Sequence, residues 1–244
     1  MRAESNPSVE PAPSPDSTRI AVVLLSGGMD SATCLAIAQR DGFEVTALTV
    51  DYGQRHRVEI DCARALARAR GVRDHRVVRV DLREIGGSAL TGSAEVPKDR
   101  AGEEIGGGVP ITYVPARNTL FLSLALGLAE VVGADAIYIG ATAVDYSGYP
   151  DCRPEFLRAF EALARVGTAR GVAGNPVEIR APLLALSKAD IARLGAGLGV
   201  DYGLTSSCYD PSEDGAPCGR CDACQLRRKG FSEAGMVDPV QRRT

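Results

Sequence analysis

The sequence predicts an α/β protein with an open, mostly parallel sheet and helices on both faces. Short apolar runs such as IAVVLL (20–25) and EVTALTV (44–50) alternate with helical periodicity, which is typical of repeated βα units. Loops rich in Gly, Asp and Ser follow these strands, and ligands bind at that edge in open α/β sheets. The 244 residues are enough for one complete core.

Each predicted element has its own signal in the sequence. The first helix begins near Asp30, and a second helix over 56–70 carries an apolar stripe and stops at Gly71. A third strand lies within 72–82. The later elements are a helix over 115–132, a strand over 136–140, a helix over 154–169 with Phe156, Phe160 and Leu163 facing inward, and a helix through 198 that a Ser187–Asp190 capping box opens.

The domain boundaries follow changes in composition. Residues 1–18 are rich in Pro and Ser and are expected to form a disordered tail. The α/β body is expected over 19–205, a cysteine-bearing segment over 206–231 and a C-terminal tail over 232–244. Residues 84–112 hold many glycines without periodicity, which leaves two interpretations open: a mobile lid over a site, or a disordered insertion.

Charge and hydropathy argue against several classes of partner. A formal net charge of −3 with both signs mixed along the chain gives no basic surface for a nucleic acid. No apolar run approaches the roughly 20 residues that span a bilayer, and the N-terminal segment lacks the apolar region of a secretory signal. We therefore expect small-molecule substrates, no nucleic acid, no membrane and a cytoplasmic location.

The segment LSGGMDS lies between a predicted buried strand and a helix. Free backbone N–H groups and the positive end of the helix dipole meet there, so the loop suits a phosphate group. Gly27 and Gly28 permit the positive φ values and the close backbone approach that such a loop requires, and the hydroxyls of Ser26 and Ser31 can donate to phosphate oxygens. Asp30 either caps the helix or holds Mg²⁺ through water. A glycine turn with an Asp cap is the simpler alternative.

The string S-G-G-x-D-S after a hydrophobic strand resembles the PP-loop of ATP pyrophosphatases, the superfamily of GMP synthetase, NAD synthetase and tRNA thiolation enzymes. This resemblance implies that ATP is cleaved between its α and β phosphates and that AMP is transferred to a substrate oxygen. It also implies catalytic roles for Asp30 and Lys188, although a solvated lysine in a helix first turn is the alternative for Lys188. The implied ATP-binding residues are Leu25, Ser26, Gly27, Gly28, Met29, Asp30, Ser31 and Ala32.

Four of the seven cysteines lie close together near the C-terminus. The spacing C-x9-C-x2-C-x2-C lets four thiolates converge at about 2.3 Å on one tetrahedral ion, which favours a structural zinc site. An iron–sulfur cluster is one rival, but the ferredoxin pattern continues with x3-C-P; free thiols without metal are the other. The candidate ligands are Cys208, Cys218, Cys221 and Cys224, with Arg220, Arg227, Arg228 and Lys229 expected to offset their negative charge.

The segment AVDYSGYPDCRPEF follows the strand predicted over 136–140, so it reaches the same sheet edge as LSGGMDS. Its carboxylates can accept two hydrogen bonds from a guanine-like base, its tyrosines can stack on that base, and its arginine can pair with a substrate carboxylate. The alternative is a polar turn that only caps the helix at Pro154. The substrate-binding candidates are Asp145, Tyr146, Ser147, Tyr149, Asp151 and Arg153.

Six motifs make the resemblance more specific. In order, they are LLSGGMDSATCL, VDYGQRHRVEI, VPARNTLFLSLA, GATAVDYSGYPDCRPEF, LTSSCY and CGRCDAC, and together they resemble the 7-cyano-7-deazaguanine synthase family over roughly residues 20–231. The resemblance implies that 7-carboxy-7-deazaguanine and ammonia become the 7-cyano compound, with ATP activating first the carboxylate and then the amide. It adds Arg117 as a substrate candidate. The expected cofactors are one structural Zn²⁺ per chain and ATP with Mg²⁺ as substrate, and we expect a homodimer.

Two other functions stay open at this point. A PP-loop tRNA thiolation enzyme also adenylates a carbonyl oxygen, but it would need a basic face for RNA. The cysteine segment could instead bind a partner protein, with the α/β body as a nucleotide sensor. On the preferred interpretation, Asp30→Ala or Gly27→Val removes ATP turnover and leaves the fold intact.

Overall fold

The computed structural model describes residues 18–55, 57–100, 108–142 and 148–240. The described strands are β1 (Ile20–Leu24), β2 (Glu44–Asp51), β3 (Asp74–Arg79), β4 (Ala136–Tyr138) and β5 (Glu178–Arg180). The described helices are α1 (Met29–Arg40), α2 (Val58–Ala69), α3 (Arg117–Val132), α4 (Pro154–Gly167), α5 (Ala169–Val172), α6 (Lys188–Gly197) and α7 (Asp222–Glu233), and short 3-10 turns cover Pro150–Cys152 and Tyr202–Leu204. Within these ranges, no helix is both long and apolar enough to cross a membrane.

The five strands form one parallel sheet in the order β3–β2–β1–β4–β5. The chain moves outward from β1 to β3 and then crosses back to place β4 beside β1, where Val22 pairs with Ile137. The direction of winding therefore changes between β1 and β4. In open α/β sheets, a crevice forms at the carboxyl ends of the two strands that flank such a change.

The sheet separates two cores. Along β1, Val22 and Leu24 face a core that includes α3 and α4, whereas Ala21 and Val23 face a core that includes α1, α2 and α6. This alternation follows from the two-residue period of a strand. The predicted α/β architecture with helices on both faces is confirmed.

The capping box at the start of α6 is also confirmed, since Ser187 and Asp190 exchange both of its hydrogen bonds. The helix predicted over 154–169 is shorter, because Thr168 has extended backbone and starts α5. Its buried face is Leu157, Phe160 and Ala164, whereas Leu163 is 50% exposed. The inward direction predicted for Leu163 is therefore wrong, because the buried stripe is turned by one residue around the helix.

The described part of 84–112 packs on the body. Ala89, Leu90 and Val96 are buried in the core, and Lys98 forms a single antiparallel bridge with Cys221. Residues 101–107 lie outside the described chain. Movement of residues 84–112 as a lid stays a prediction. The described part is anchored in the core and contacts the cysteine segment through the bridge between Lys98 and Cys221.

Candidate active site

The glycine loop, residues 25–32, follows the carboxyl end of β1. Gly27 has φ +90°, which residues with a side chain rarely adopt. A Cβ atom on Gly27 would stand 2.1 Å from the carbonyl oxygen of Glu59 in α2, so only glycine fits there. Gly28 has φ −82°. Positive φ is therefore found at Gly27 and not at Gly28.

The contact at Gly27 corrects a second expectation. A valine there would overlap the backbone of α2 at Glu59 and Ala63, so either the loop or the helix would have to move. Gly27→Val therefore disturbs the packing of the fold as well as the loop. The prediction that this variant leaves the fold intact is wrong.

The hydroxyls of Ser26 and Ser31 organise the glycine loop. Their Oγ atoms lie 3.1 Å apart, the Ser31 hydroxyl donates to the carbonyl oxygen of Gly28 at 3.0 Å, and the Gly28 N–H donates to Ser26 Oγ at 3.3 Å. Gly28 is the N-cap of α1, and as a glycine it supplies no side-chain cap. A helix start without a side-chain cap suits an anion. The N-cap of α1 is therefore Gly28, and Asp30 lies in the first turn, where its carboxylate pairs with Lys188.

Asp30 and Lys188 meet although 158 residues separate them. Lys188 Nζ lies 2.6 Å from Asp30 Oδ2, and the side chains are 13% and 25% exposed. Lys188 is the first residue of α6, where a cation is disfavoured unless an anion stands beside it. The alternative of a solvated lysine is therefore wrong.

A cavity of about 240 Å³ opens at the carboxyl ends of β1 and β4. It lies at the change in winding, where the fold favours a ligand site. Leu25, Gly27 and Ala32 do not line it, because they are buried behind the loop. The predicted site residues that line it are Ser26, Gly28, Met29, Asp30, Ser31, Arg117, Tyr149 and Lys188.

Arg117 stands in an aromatic wall of this cavity. Its Cζ atom lies 5.9 Å from the ring centre of Tyr52 and 6.0 Å from that of Phe121. Burial opposes its charge, but the neighbouring tyrosines hold the pKa of Arg117 above its ordinary value. Ala116, the N-cap of α3, has φ +54°, and such strain is often found at functional sites. Tyr149, also in the lining, completes a site that could hold a flat anionic ligand.

The other described substrate candidates, Asp151 and Arg153, do not line the cavity. Asp151 is buried, and its carboxylate accepts a hydrogen bond from the backbone N–H of Asn118 at 2.9 Å, so it caps α3. Arg153 is exposed, precedes α4 and does not line the cavity. Asp145, Tyr146 and Ser147 lie outside the described residues.

Two further groups of cavity residues were not assigned from the sequence. Tyr52 and Glu59 come from the segment after β2, and Ser206 comes from the motif LTSSCY. The Ser206 N–H donates to the carbonyl oxygen of Gly27 at 3.0 Å. Both segments belong to motifs that carry the family resemblance. The position of Tyr52 and Glu59 after β2 is the signal that could have identified them, because the loops that follow parallel strands converge at one edge of the sheet.

The four C-terminal cysteines converge as predicted. Their Sγ atoms all lie within 4.8 Å of one another, and those of Cys208 and Cys221 are 4.0 Å apart. Tetrahedral zinc needs sulfur atoms about 3.8 Å apart. The N–H of Cys218 donates to Cys208 Sγ at 3.2 Å, and the thiols of Cys208 and Cys224 lower the pKa of Cys221. The cluster could therefore hold a metal ion.

The basic residues near the cluster have other partners. Arg228 donates to the carbonyl oxygen of Gly219 at 3.1 Å. The other three pair with carboxylates, and Arg220 also interacts electrostatically with Cys218, so the prediction that these residues offset the thiolate charge stays a prediction. The observed partners are Asp99 for Arg220, Asp238 for Arg227 and Glu233 for Lys229.

Comparison with known proteins gives consistent matches over most of the chain. The family described as "Queuosine biosynthesis protein QueC" matches residues 20–235. The chain is 64% identical over 221 residues to the 7-cyano-7-deazaguanine synthase of Myxococcus xanthus (strain DK1622), which covers 91% of this chain and 96% of that protein. It is 63% identical over 224 residues to the protein of that name from Anaeromyxobacter sp. (strain Fw109-5), with 91% and 96% covered.

A third relative, the 7-cyano-7-deazaguanine synthase of Solidesulfovibrio magneticus (strain ATCC 700980 / DSM 13731 / RS-1), is 59% identical over 229 residues, with 93% of this chain and 97% of that protein covered. Among solved structures, NMN synthetase from Francisella tularensis aligns with a TM-score of 0.48 at 16% identity, over 93% of this chain and 82% of that chain. The match over residues 20–235 and the extent of identity place the chain in the family of the queuosine biosynthesis protein QueC.

Proposed function

We propose that this protein is an ATP-dependent carbon–nitrogen ligase that converts 7-carboxy-7-deazaguanine and ammonia to 7-cyano-7-deazaguanine. The observation that carries the proposal is a single cavity in which the glycine loop, the Asp30–Lys188 pair and Arg117 come together. The name of the relatives supports the choice of substrate and product. Ligation through an adenylate requires a site for the phosphates, charged groups beside the phosphate under attack and a cation that pairs with the substrate carboxylate. The glycine loop, the Asp30–Lys188 pair and Arg117 are suited to these three tasks.

The first proposed step is activation of the carboxylate. The glycine loop would hold the phosphates, Asp30 would hold Mg²⁺, and Lys188 would stabilise negative charge on the phosphate under attack. A substrate carboxylate oxygen attacks the α phosphorus of ATP, and pyrophosphate leaves. The adenylate then offers AMP as the leaving group, because an unactivated carboxylate has none of comparable quality.

The second proposed stage forms the nitrile. Ammonia displaces AMP from the acyl adenylate and gives the amide. The amide oxygen then attacks the α phosphorus of a second ATP, so that pyrophosphate leaves and the nitrogen loses one N–H proton; loss of AMP and of the remaining N–H proton leaves the carbon–nitrogen triple bond. Arg117 would pair with the substrate carboxylate in the first activation, while Tyr52 and Tyr149 would flank the flat deazaguanine ring.

We further propose that the four cysteines hold one structural Zn²⁺. The mutual distances of their sulfur atoms support this assignment, since a closed set of four thiolates leaves no coordination position for substrate. The homodimer, the cytoplasmic location and the boundaries of the cysteine segment stay predictions.

The decisive experiment incubates the purified protein with ATP, Mg²⁺, ammonium and 7-carboxy-7-deazaguanine, and identifies products by mass. We expect the amide first and then the nitrile, with ATP consumption that depends on the acid. Asp61→Asn is a matched control, because Asp61 is 73% exposed in its side chain on α2. Absence of acid-dependent ATP cleavage, or thiolation of tRNA when a sulfur donor is supplied, would contradict the proposal.

A further inference from the structure

Glu59 is an acidic side chain of the cavity that the two activation steps leave without a role. It lies in the first turn of α2 and lines the cavity together with Tyr52 and Arg117. A Cβ on Gly27 would meet the backbone of Glu59, so this turn packs directly against the glycine loop. The turn that carries Glu59 therefore stands beside the loop that would hold the phosphates.

The cavity has two carboxylates among its described lining residues, Asp30 and Glu59. Asp30 is held by Lys188 at 2.6 Å. No described lysine or arginine lies within ion-pair distance of Glu59, and Arg117 acts on it only electrostatically. A carboxylate that is not committed to an ion pair can bind and release a proton during a reaction.

Ligation with ammonia requires such a proton acceptor. When ammonia attacks the acyl adenylate, the nitrogen lone pair forms the C–N bond, the C–O bond to AMP breaks, and its electron pair leaves with AMP. The nitrogen then carries a positive charge and must lose one proton to give the neutral amide. The later conversion of the amide to the nitrile removes two more N–H protons, one as the amide oxygen is adenylated and one as AMP leaves.

We propose that Glu59 is the general base for the nitrogen substrate: its carboxylate binds incoming ammonium, removes the proton that occupies the nitrogen lone pair and releases it to solvent, and then accepts the second proton, which nitrogen loses as the C–N bond forms. This inference rests on the proposed function, because it names the site of that reaction's second substrate. Within the cavity, Glu59 would bind ammonium and Arg117 would bind the carboxylate of the acid substrate.

The surroundings of Glu59 suit this task. Burial raises the pKa of Glu59 to about 7, and Arg117 partly opposes this shift. A base with a pKa near the working pH is the most effective at neutral pH. The charged or titratable groups that line the cavity with it come from several elements: Asp30 from α1, Tyr52 and Arg55 after β2, Arg117 from α3, Tyr149 and Cys152 before α4, Lys188 from α6, Cys208 and Tyr209 before α7, and Arg227 from α7.

The test compares wild type, Glu59→Gln and the control Asp61→Asn in two half-reactions. Acid-dependent exchange of pyrophosphate into ATP, without ammonium, reports adenylation alone. Product formation is then measured with ammonium and with hydroxylamine, whose nitrogen is less basic and loses its proton to water after attack. For Glu59→Gln we expect adenylation within about threefold of wild type, a loss of about 100-fold or more with ammonium, and hydroxamate formation within about fivefold. Asp61→Asn should match wild type throughout.

Several results would overturn the inference. Equal losses with ammonium and hydroxylamine would make Glu59 a structural residue, and a raised KM for the acid with unchanged kcat would assign it to recognition of the deazaguanine ring. If Glu59→Gln does not fold, Glu59→Asp must keep adenylation and lose ammonium-dependent turnover selectively, or the inference fails. If the wild-type protein shows no acid-dependent exchange, the proposed function itself fails, and this result appears before ammonium is added.

Discussion

Arg227 and Asp238 form a two-bond ion pair in the interior. Arg227 Nε lies 2.8 Å from Asp238 Oδ2 and Nη2 lies 2.9 Å from Oδ1, and both residues are 5% exposed. Arg227 also donates to Thr205 Oγ1 at 2.7 Å. The next residue, Ser206, bonds to Gly27. The pair therefore connects the C-terminal residues to the glycine loop.

We predict that Asp238→Ala destabilises the protein strongly. The substitution leaves the Arg227 guanidinium buried without its anion, which typically costs about 3–5 kcal/mol. Equilibrium urea unfolding measures the loss. Glu233→Ala is the matched control, because it breaks the exposed pair with Lys229 and should cost less than about 1 kcal/mol. Losses of similar size in the two variants would show that the interior pair is not a main support of the fold.

Asp30→Asn should remove ATP turnover while the protein stays folded. Asparagine keeps the size of the side chain but withdraws the charge that faces Lys188 and would hold Mg²⁺. We expect acid-dependent pyrophosphate exchange to fall by about 100-fold or more. The variant should stay folded but unfold at a lower temperature than wild type, because Lys188 loses its partner at the start of α6. Unlike Gly27→Val, this change places no atom against α2. Exchange rates within about threefold of wild type would contradict a catalytic role for the pair.

The sequence predicts the architecture better than the side-chain pairing. The strands and most helices follow from local periodicity, and that signal does not depend on distant residues. The contact between Asp30 and Lys188 depends on the tertiary fold, because 158 residues separate them. Each residue could therefore be predicted from its own motif, but their contact could not. Asp151 was expected to bind substrate because it follows a strand, but its carboxylate caps α3. Glu59 was missed because an acid in the first turn of a helix is already explained by the helix dipole.

Cys221→Ser should release the metal and weaken the fold. Cys221 is fully buried, and Lys98 bridges to its backbone, so loss of the ion would loosen the contact between the cysteine segment and residues 96–100. We expect one zinc per wild-type chain by elemental analysis, less than about a tenth of that in the variant, and stability lower by several kcal/mol. Activity should fall in proportion to folded protein.

The control for this change is Cys62→Ser, which alters a half-buried thiol outside the cluster and should keep the metal. Iron with acid-labile sulfide in the wild-type protein would contradict zinc. A metal-free Cys221→Ser protein with wild-type stability would contradict the structural role.

Glu59→Gln should stabilise the protein above neutral pH. Burial raises the pKa of Glu59 from 4.5 to about 7, so the folded protein holds this proton more tightly than the unfolded chain. The resulting stabilisation is complete below pH 4.5 and is lost as the pH rises to about 7, above which the folded protein carries the cost of a desolvated charge. Glutamine carries no charge. Because Glu59 lines an open cavity and is partly solvated, we expect the variant to exceed wild type by about 1–2 kcal/mol in urea unfolding at pH 8 and to match it at pH 4.5. Equal stability at both pH values would contradict the raised pKa.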